Sequence, residues 1–292
     1  MSYGEADRPG ISINPRLIIA AVIALFGIVT YFARTQVNPV TGEKQHIAMS
    51  VDQEKALGLE AAPKMAAEMG GDITPGRDPR AALVQEVGRR LVENTEAGKS
   101  PYADNFHFHL LNDPNTINAF ALPGGQIFIT KALFDKLDDE AELAGVLGHE
   151  IGHVIHRHSA QQMAKGQLGQ ILSTAVGVGT SDRNDGGQSA AMAAQMANQM
   201  IQLRYGRGDE SQSDSYGLRL MNQVGYDPRA MLDVMKILKD ASKGDRQPEW
   251  LSSHPLPETR IQQIEDELNR EYGGGSKGSI GRGRTLSGND YR

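Results

Sequence analysis

The stretch "GHEIGHVIHRH", residues 148–158, holds four of the chain's eight histidines. It continues an apolar pattern in which Leu143, Val146, Leu147, Ile151, Val154 and Ile155 recur at i, i+3, i+4 spacing behind Asp138 and Asp139 as caps. That spacing predicts a helix facing the core, where a polar trio has a desolvation cost unless it has a task. His149 and His153 are four apart, so both imidazoles leave one helix face and can hold a single metal ion. With Glu150 beside them the pattern is H-E-x-x-H: two ligands and a carboxylate able to take a proton from water.

The chain has no cysteine, so any remaining ligands must be histidine or carboxylate. A third histidine in the metzincin arrangement needs Gly at 156 and His at 159, whereas this chain has His156 and Ser159. His156 and His158 then read as cations near the C-terminal dipole of the helix, or as hydrogen-bond partners of the ligands. Further along, "LRYGRGDESQSD" offers Glu210 and, one turn on, Asp214. On a helix these share a face, so Glu210 could bind metal while Asp214 holds a ligating histidine. The same spacing is common on solvated helix faces.

The breakers divide the rest of the chain. Residues 17–33, "LIIAAVIALFGIVTYFA", form an uncharged run between Arg16 and Arg34, about 25 Å long as a helix. It is long for a signal-peptide core and lacks a small-x-small cleavage site, so an uncleaved anchor is expected after a tail at 1–16. A linker at 34–49 leads to a domain at 50–272. Ser50 with Gln53 and Asp78 with Pro79 mark two helix starts, and Pro63 is expected to kink or divide the first. Strands are expected at 106–112, 117–123 and 126–130, with His107 and His109 structural on one strand face. Helices are expected at 160–176, 189–203, 210–224, 228–241 and 257–271, with a loose loop at 177–188 and a disordered tail from Gly273. A net charge of −6 and the lack of a basic, aromatic-rich patch argue against nucleic acid as a partner.

Taken in order, "NAFALPGGQIFI", "GHEIGHVIHRH", "RYGRGDESQSD" and "SSHPLPETR" resemble the membrane-associated gluzincin endopeptidases. That family includes the CAAX prenyl endopeptidases, the HtpX-like heat-shock proteases, the mitochondrial Oma-type proteases and the outer-membrane-assembly proteases. The resemblance implies an α+β, mainly helical, zincin-like (minigluzincin) domain with a small three- to four-stranded sheet behind one N-terminal transmembrane helix. It implies one zinc ion per chain on His149, His153 and Glu210, Glu150 as general base and Asp214 as partner of a ligand. It also implies that His254 and Arg260 reach the site and steady the oxyanion. The family usually has Ser where Gly206 stands and Ala where Ser213 stands. In such enzymes the peptide lies along a sheet edge; Asn118 and Ala119 are the candidates here, Asn118 being equally readable as a plain turn residue.

The resemblance thus implies a zinc metalloendopeptidase acting on polypeptides, with misfolded or unassembled envelope proteins fitting a singly tethered domain better than prenylated substrates. A rival is a zinc-dependent chaperone or assembly factor that binds extended chains with little turnover. The slight basic excess before the anchor favours an N-terminus inside and the rest of the chain outside; with the resemblance, this implies a bacterial inner-membrane protein with its catalytic domain on the periplasmic side. The position of the hairpin 160–203 between ligand motifs suggests a plug over the cleft. Oligomeric state is not legible.

Overall fold

A computed structural model describes residues 14–180, 204–244, 247–255, 258–272 and 281–286. Helix α1 (Pro15–Ala33) starts on an Asn14 cap with Pro15 in its first turn. Leu17, Val22, Leu25, Phe26, Val29 and Phe32 are all exposed, so its apolar surface is not spent on the protein core. The segment expected as a linker instead folds into a hairpin, β1 (Thr35–Val37) against β2 (Lys44–His46). Asn38 caps the turn through its side chain and also donates to Ile155 O, tying the hairpin to the end of the histidine helix.

Helix α2 (Val51–Glu68) carries the expected capping box of Ser50 and Gln53. It runs through Pro63 without division. After β3 (Asp72–Ile73), helix α3 (Pro79–Glu93) is capped by Asp78 and buries Leu83, Val84, Val87 and Leu91. The sheet then adds β4 (His107–Leu111), β5 (Ala119–Ala121) and β6 (Gln126–Thr130), in the order β3-β4-β6-β5. Strands β4 and β6 are parallel, and β5 lies antiparallel at the edge. Every residue of β6 is buried because both faces are covered: Ile127 and Ile129 enter the main core, Phe128 the smaller cluster under α2. His109 stays on the sheet, bonded to Asp72 and Gln126, as a structural histidine.

A short helix α4 (Lys131–Phe134) precedes α5 (Glu140–Ile155), which starts on the Asp139 cap. All residues of α5 are buried, and it forms the axis of the molecule. Helices α7 (Arg207–Gln223) and α8 (Ala230–Ala241) pack on α5, followed by α9 (Trp250–Ser253) and α10 (Glu258–Tyr272). Helix α7 begins three residues before the expected Glu210, with Asp209 Oδ2 accepting from Gly206 N. Helix α6 (His158–Thr180) departs from α5 at Arg157, whose φ of 58° is left-handed. That strain, about 1–2 kcal/mol, is held by a buried guanidinium that donates to Glu54, Gln36 Oε1 and Met49 O. The described part of the expected 160–203 hairpin runs along α1; residues 181–203, with most of the expected loop and the second helix, lie outside the described residues.

Part of the tail also departs from expectation, residues 273–280 and 287–292 lying outside the described residues. Residues 281–286 dock as a strap on the start of α5: Glu140 N donates to Arg284 O, Ala141 N to Arg282 O, and Leu286 N to Asp138 O. Arg282 reaches Asp139, Glu142 and Asp233, while Arg284 reaches Glu86 and Glu140. Disorder was expected from the glycine-rich composition. The carboxylates that order the strap all stand on elements distant in sequence, Asp233 at 49 positions being the nearest.

Candidate metal centre

Two helices carry the polar groups to one point. Helix α5 presents His149, Glu150 and His153; α7 presents Glu210 and Asp214; and His254 follows directly on α9. One donor atom each from His149, His153, Glu210 and His254 lies within 4.8 Å of the others, and all four residues are buried. His149 Nε2 and His153 Nε2 are 3.0 Å apart, and His254 Nδ1 is 3.0 Å from Glu210 Oε1. Glu210 comes within 3.7 Å of His149 Nε2 and 3.5 Å of His153 Nε2.

The surrounding bonds fix which ring nitrogens face the cluster. His149 Nδ1 donates to Asp214 Oδ1 at 2.8 Å, leaving Nε2 as a lone pair. Asp214 stays ionised: burial alone would raise its pKa, but the Arg260 guanidinium, at 2.6 and 2.7 Å from its two oxygens, holds it far below the usual range. On the other ring a longer chain operates. Glu43 accepts from Gln212 Nε2, which turns Gln212 Oε1 toward His158 Nε2. His158 must then carry its proton on Nε2 and accept at Nδ1 from His153 Nδ1, 3.0 Å away. So His153, like His149, turns a bare Nε2 inward. Burial, with His149 and His254 beside it, keeps His153 neutral. Two bare imidazole nitrogens at 3.0 Å with a carboxylate beside them, and His254 Nδ1 3.3 Å from one of them, make a donor set suited to a cation. Glu150 Oε2 and His254 Nε2 are buried here with no hydrogen-bond partner within the protein, while Glu210 Oε2 has only its ion pair with Arg260 Nη1. A buried polar atom left without a partner costs about 1–3 kcal/mol. A divalent metal on this donor set fits these observations.

Why the helices meet so closely is local. Gly148 and Gly152 on α5 face Gly217 and Ser213 on α7, and a Cβ at Gly152 would stand 2.8 Å from Ser213 Cα. Only small residues at this crossing let the short Glu210 side chain reach the histidines.

The remaining sequence candidates fall as follows. Glu150 sits beside the cluster, its Oε1 accepting from Trp250 Nε1 at 3.3 Å. His254 Nδ1 stands among the ligand atoms, while its Nε2 lies 3.7 Å from Glu150 Oε1. Arg260 grips Asp214 and sets Nη1 2.5 Å from Glu210 Oε2, out of hydrogen-bond alignment; it faces carboxylates already. Asn118 is buried with Oδ1 unpartnered, and Ile117 O accepts from Trp250 N, so the start of β5 abuts α9. Ala119 is buried in β5. Contrary to the reading as helix-end cations, burial lowers the pKa of both His156 and His158, His158 to about 4. Two residues escaped the sequence reading. Trp250 stacks on His254 at 4.6 Å, and Tyr205 lies on His153 at 4.0 Å with its hydroxyl on Ser159. Being the chain's one tryptophan, four residues before His254, was the available signal for Trp250.

Comparison with known proteins agrees with this geometry. The description of peptidase family M48 matches residues 78–268. The beta-barrel assembly-enhancing protease of Yersinia pestis is 33% identical over 243 residues, which cover 80% of this chain and 47% of that protein. The same-named protein of Escherichia coli (strain K12) is 31% identical over 239 residues, with the same shares. The mitochondrial metalloendopeptidase OMA1 of Schizosaccharomyces pombe is 30% identical over 262 residues, covering 87% of this chain and 74% of that one. The chain spans about half the length of the bacterial relatives it matches. The H-E-x-x-H helix, the carboxylate that α7 brings to it and the matched span agree: the chain belongs to peptidase family M48 and is a metallopeptidase.

Proposed function

We propose that this metallopeptidase holds one zinc ion on His149, His153 and Glu210 and cleaves misfolded or unassembled envelope polypeptides beside the membrane. The observation that carries the metal assignment is the pair of inward, unprotonated Nε2 atoms with Glu210 beside them. When bound, zinc lowers the pKa of a water and polarises the scissile carbonyl. Asp214 and His158 hold the two imidazoles in the tautomer that binds it. Glu150 takes the proton of the attacking water and returns it to the leaving amine, with Trp250 fixing its carboxylate. A catalytic site keeps one position open, whereas four protein donors close it. His254 is the donor that vacates the position, because it follows a four-residue helix rather than standing on α5 or α7. Turned toward the substrate, it donates to the developing oxyanion, with Arg260 behind it keeping the two carboxylates charged. The outer edge of β5 has no neighbour strand among the described residues and takes the peptide as an added strand, with Asn118 Oδ1 accepting from its backbone.

The names of the bacterial relatives support the substrate class, and the exposed apolar face of α1 supports a membrane tether; the basic residues before α1 favour a domain on the outer, periplasmic side of a bacterial inner membrane. Glu150→Gln tests the reading. The variant is expected to retain stoichiometric zinc and to lose casein cleavage by about 10²–10⁴-fold. Undiminished cleavage overturns Glu150 as base. A chain acting as a chaperone or assembly factor would keep its client activity in this variant.

A further inference from the structure

We propose that α6 is a second membrane element, a helix that enters the bilayer alongside α1 from the domain side without crossing it. The proposal rests on α1 being a membrane span and goes beyond it, since α6 does not pass as a span by length and composition.

The packing is the first argument. Helix α6 runs antiparallel along α1: Ala164, Gln167 and Leu168 lie by Thr30, Tyr31 and Arg34, and Ile171 lies against Gly27. The contact depends on a glycine, since a Cβ at Gly27 would stand 2.6 Å from Ile171 Cγ2. Small residues at a crossing are how helices associate in lipid, where burial of apolar surface gives no net gain. A helix fixed against the middle of a spanning helix shares its depth.

Charge is the second. Lys165 is the last charged residue of α6, and it stands near the Arg34 end of α1. From Gly166 to Thr180 there is none, a length of about 22 Å by helical rise. That covers most of a hydrocarbon core of about 30 Å but not all of it. The stretch carries Gln167, Gln170, Ser173 and Thr174, polar but uncharged. Thr174 Oγ1 donates to Gln170 O, as Thr30 Oγ1 on α1 donates to Phe26 O, so each hydroxyl is bonded within its own helix. Tyr31 and Phe32, at the same level as Lys165 and Arg34, suit the interface.

The ends of the segment are the third. Helix α6 begins at His158, which bonds the ligand His153, and Gln162 donates to Asp209 at the start of α7. The chain is back on the domain at Tyr205, whose N–H donates to Ser253 O. Both His158 and Tyr205 thus lie on the domain side, which sets the metal centre at the membrane surface.

The test uses the full chain, which is free of cysteine, with single substitutions Gly169→Cys and Ser173→Cys on the exposed side of α6. A Cβ at Gly169 meets nothing within 4 Å. Val22→Cys on α1 and Leu59→Cys on α2 are the references, both exposed. Each variant is spin-labelled in sealed vesicles of phosphatidylethanolamine and phosphatidylglycerol, and collisions with oxygen and with a soluble nickel chelate are measured. The labels at 169 and 173 are expected to match Val22, open to oxygen and closed to nickel, with Leu59 the reverse. Nickel access at 169 and 173 like that at Leu59 overturns the proposal while leaving the α1 span standing. Closure to both probes also overturns it, because the face is then covered by protein. Nickel access at Val22 overturns the span itself, and the proposal with it.

Discussion

His158 shows how a residue with no direct contact to the metal can decide whether the metal binds. Its Nδ1 accepts from His153, and its own tautomer is set by Gln212 and Glu43. Without this acceptor the His153 ring can carry its proton on Nε2, facing the cluster. His158→Ala is therefore expected to weaken zinc binding about 10–100-fold, read by competition with a chromogenic chelator, while far-ultraviolet circular dichroism stays unchanged. Unaltered affinity would show that ring packing alone orients His153. The sequence placed His158 at a helix end, where a charged role is the ordinary expectation. The left-handed turn at Arg157 instead folds the chain back so that His158 lies on the ring of a residue five positions earlier.

At the scale of elements, the site depends on the separation of α5 and α7. Gly152 and Ser213 meet backbone to backbone, so a methyl group added at 152 has no flexible side chain to displace. Gly152→Ala is expected to cost about 1–3 kcal/mol of stability by overpacking and to lower zinc affinity, because Glu210 moves out with α7. Urea unfolding and chelator competition measure the two effects; loss of stability with unchanged metal binding would mean that the helices yield elsewhere. H-E-x-x-H spacing made both α5 ligands legible. By spacing alone the carboxylate was no more than a pattern common on helix surfaces, and only the family resemblance singled it out, since what distinguishes Glu210 physically is a small-residue contact between helices that are far apart in sequence.

For the molecule as a whole, the strap at 281–286 joins the end of the chain to the start of the metal-binding helix. Arg282 there pairs with Asp139, Glu142 and Asp233, and is itself half-exposed. Partly exposed pairs contribute about 1 kcal/mol or less each, so Arg282→Ala is expected to lower Tm by a few degrees, about 2–4 °C per kcal/mol for a domain of this size. Scanning calorimetry checks this; an unchanged Tm would show the strap to be energetically idle. The same corner predicts a pH dependence. Burial raises the Glu142 carboxyl to about 6 from an ordinary 4.5, the Asp138 N–H opposing and Asp139 adding. The folded chain therefore binds more protons than the unfolded one between these values, so this group's contribution to stability falls as pH rises through that window. Glu142→Gln should flatten that slope in urea midpoints taken from about pH 4 to about pH 7. A slope equal to the wild type's would place the titration elsewhere.

The sequence alone determined the apolar helix α1, the capped helices, β6 and the H-E-x-x-H pair, because each is written in spacing over a few residues: helical periodicity, a cap, a hydrophobic run. The boundaries of α2 and α7 shifted by a few residues or ignored a proline, as local preferences do when packing overrides them. Only the tertiary structure decided the rest: that His254 joins the ligand atoms, that Arg260 serves two carboxylates, that His158 is a neutral acceptor, that the linker is a hairpin and that residues 281–286 dock on α5. Each of these depends on groups brought together from distant parts of the chain, where burial and neighbouring charge, rather than the residue's own type, set its protonation and its partners.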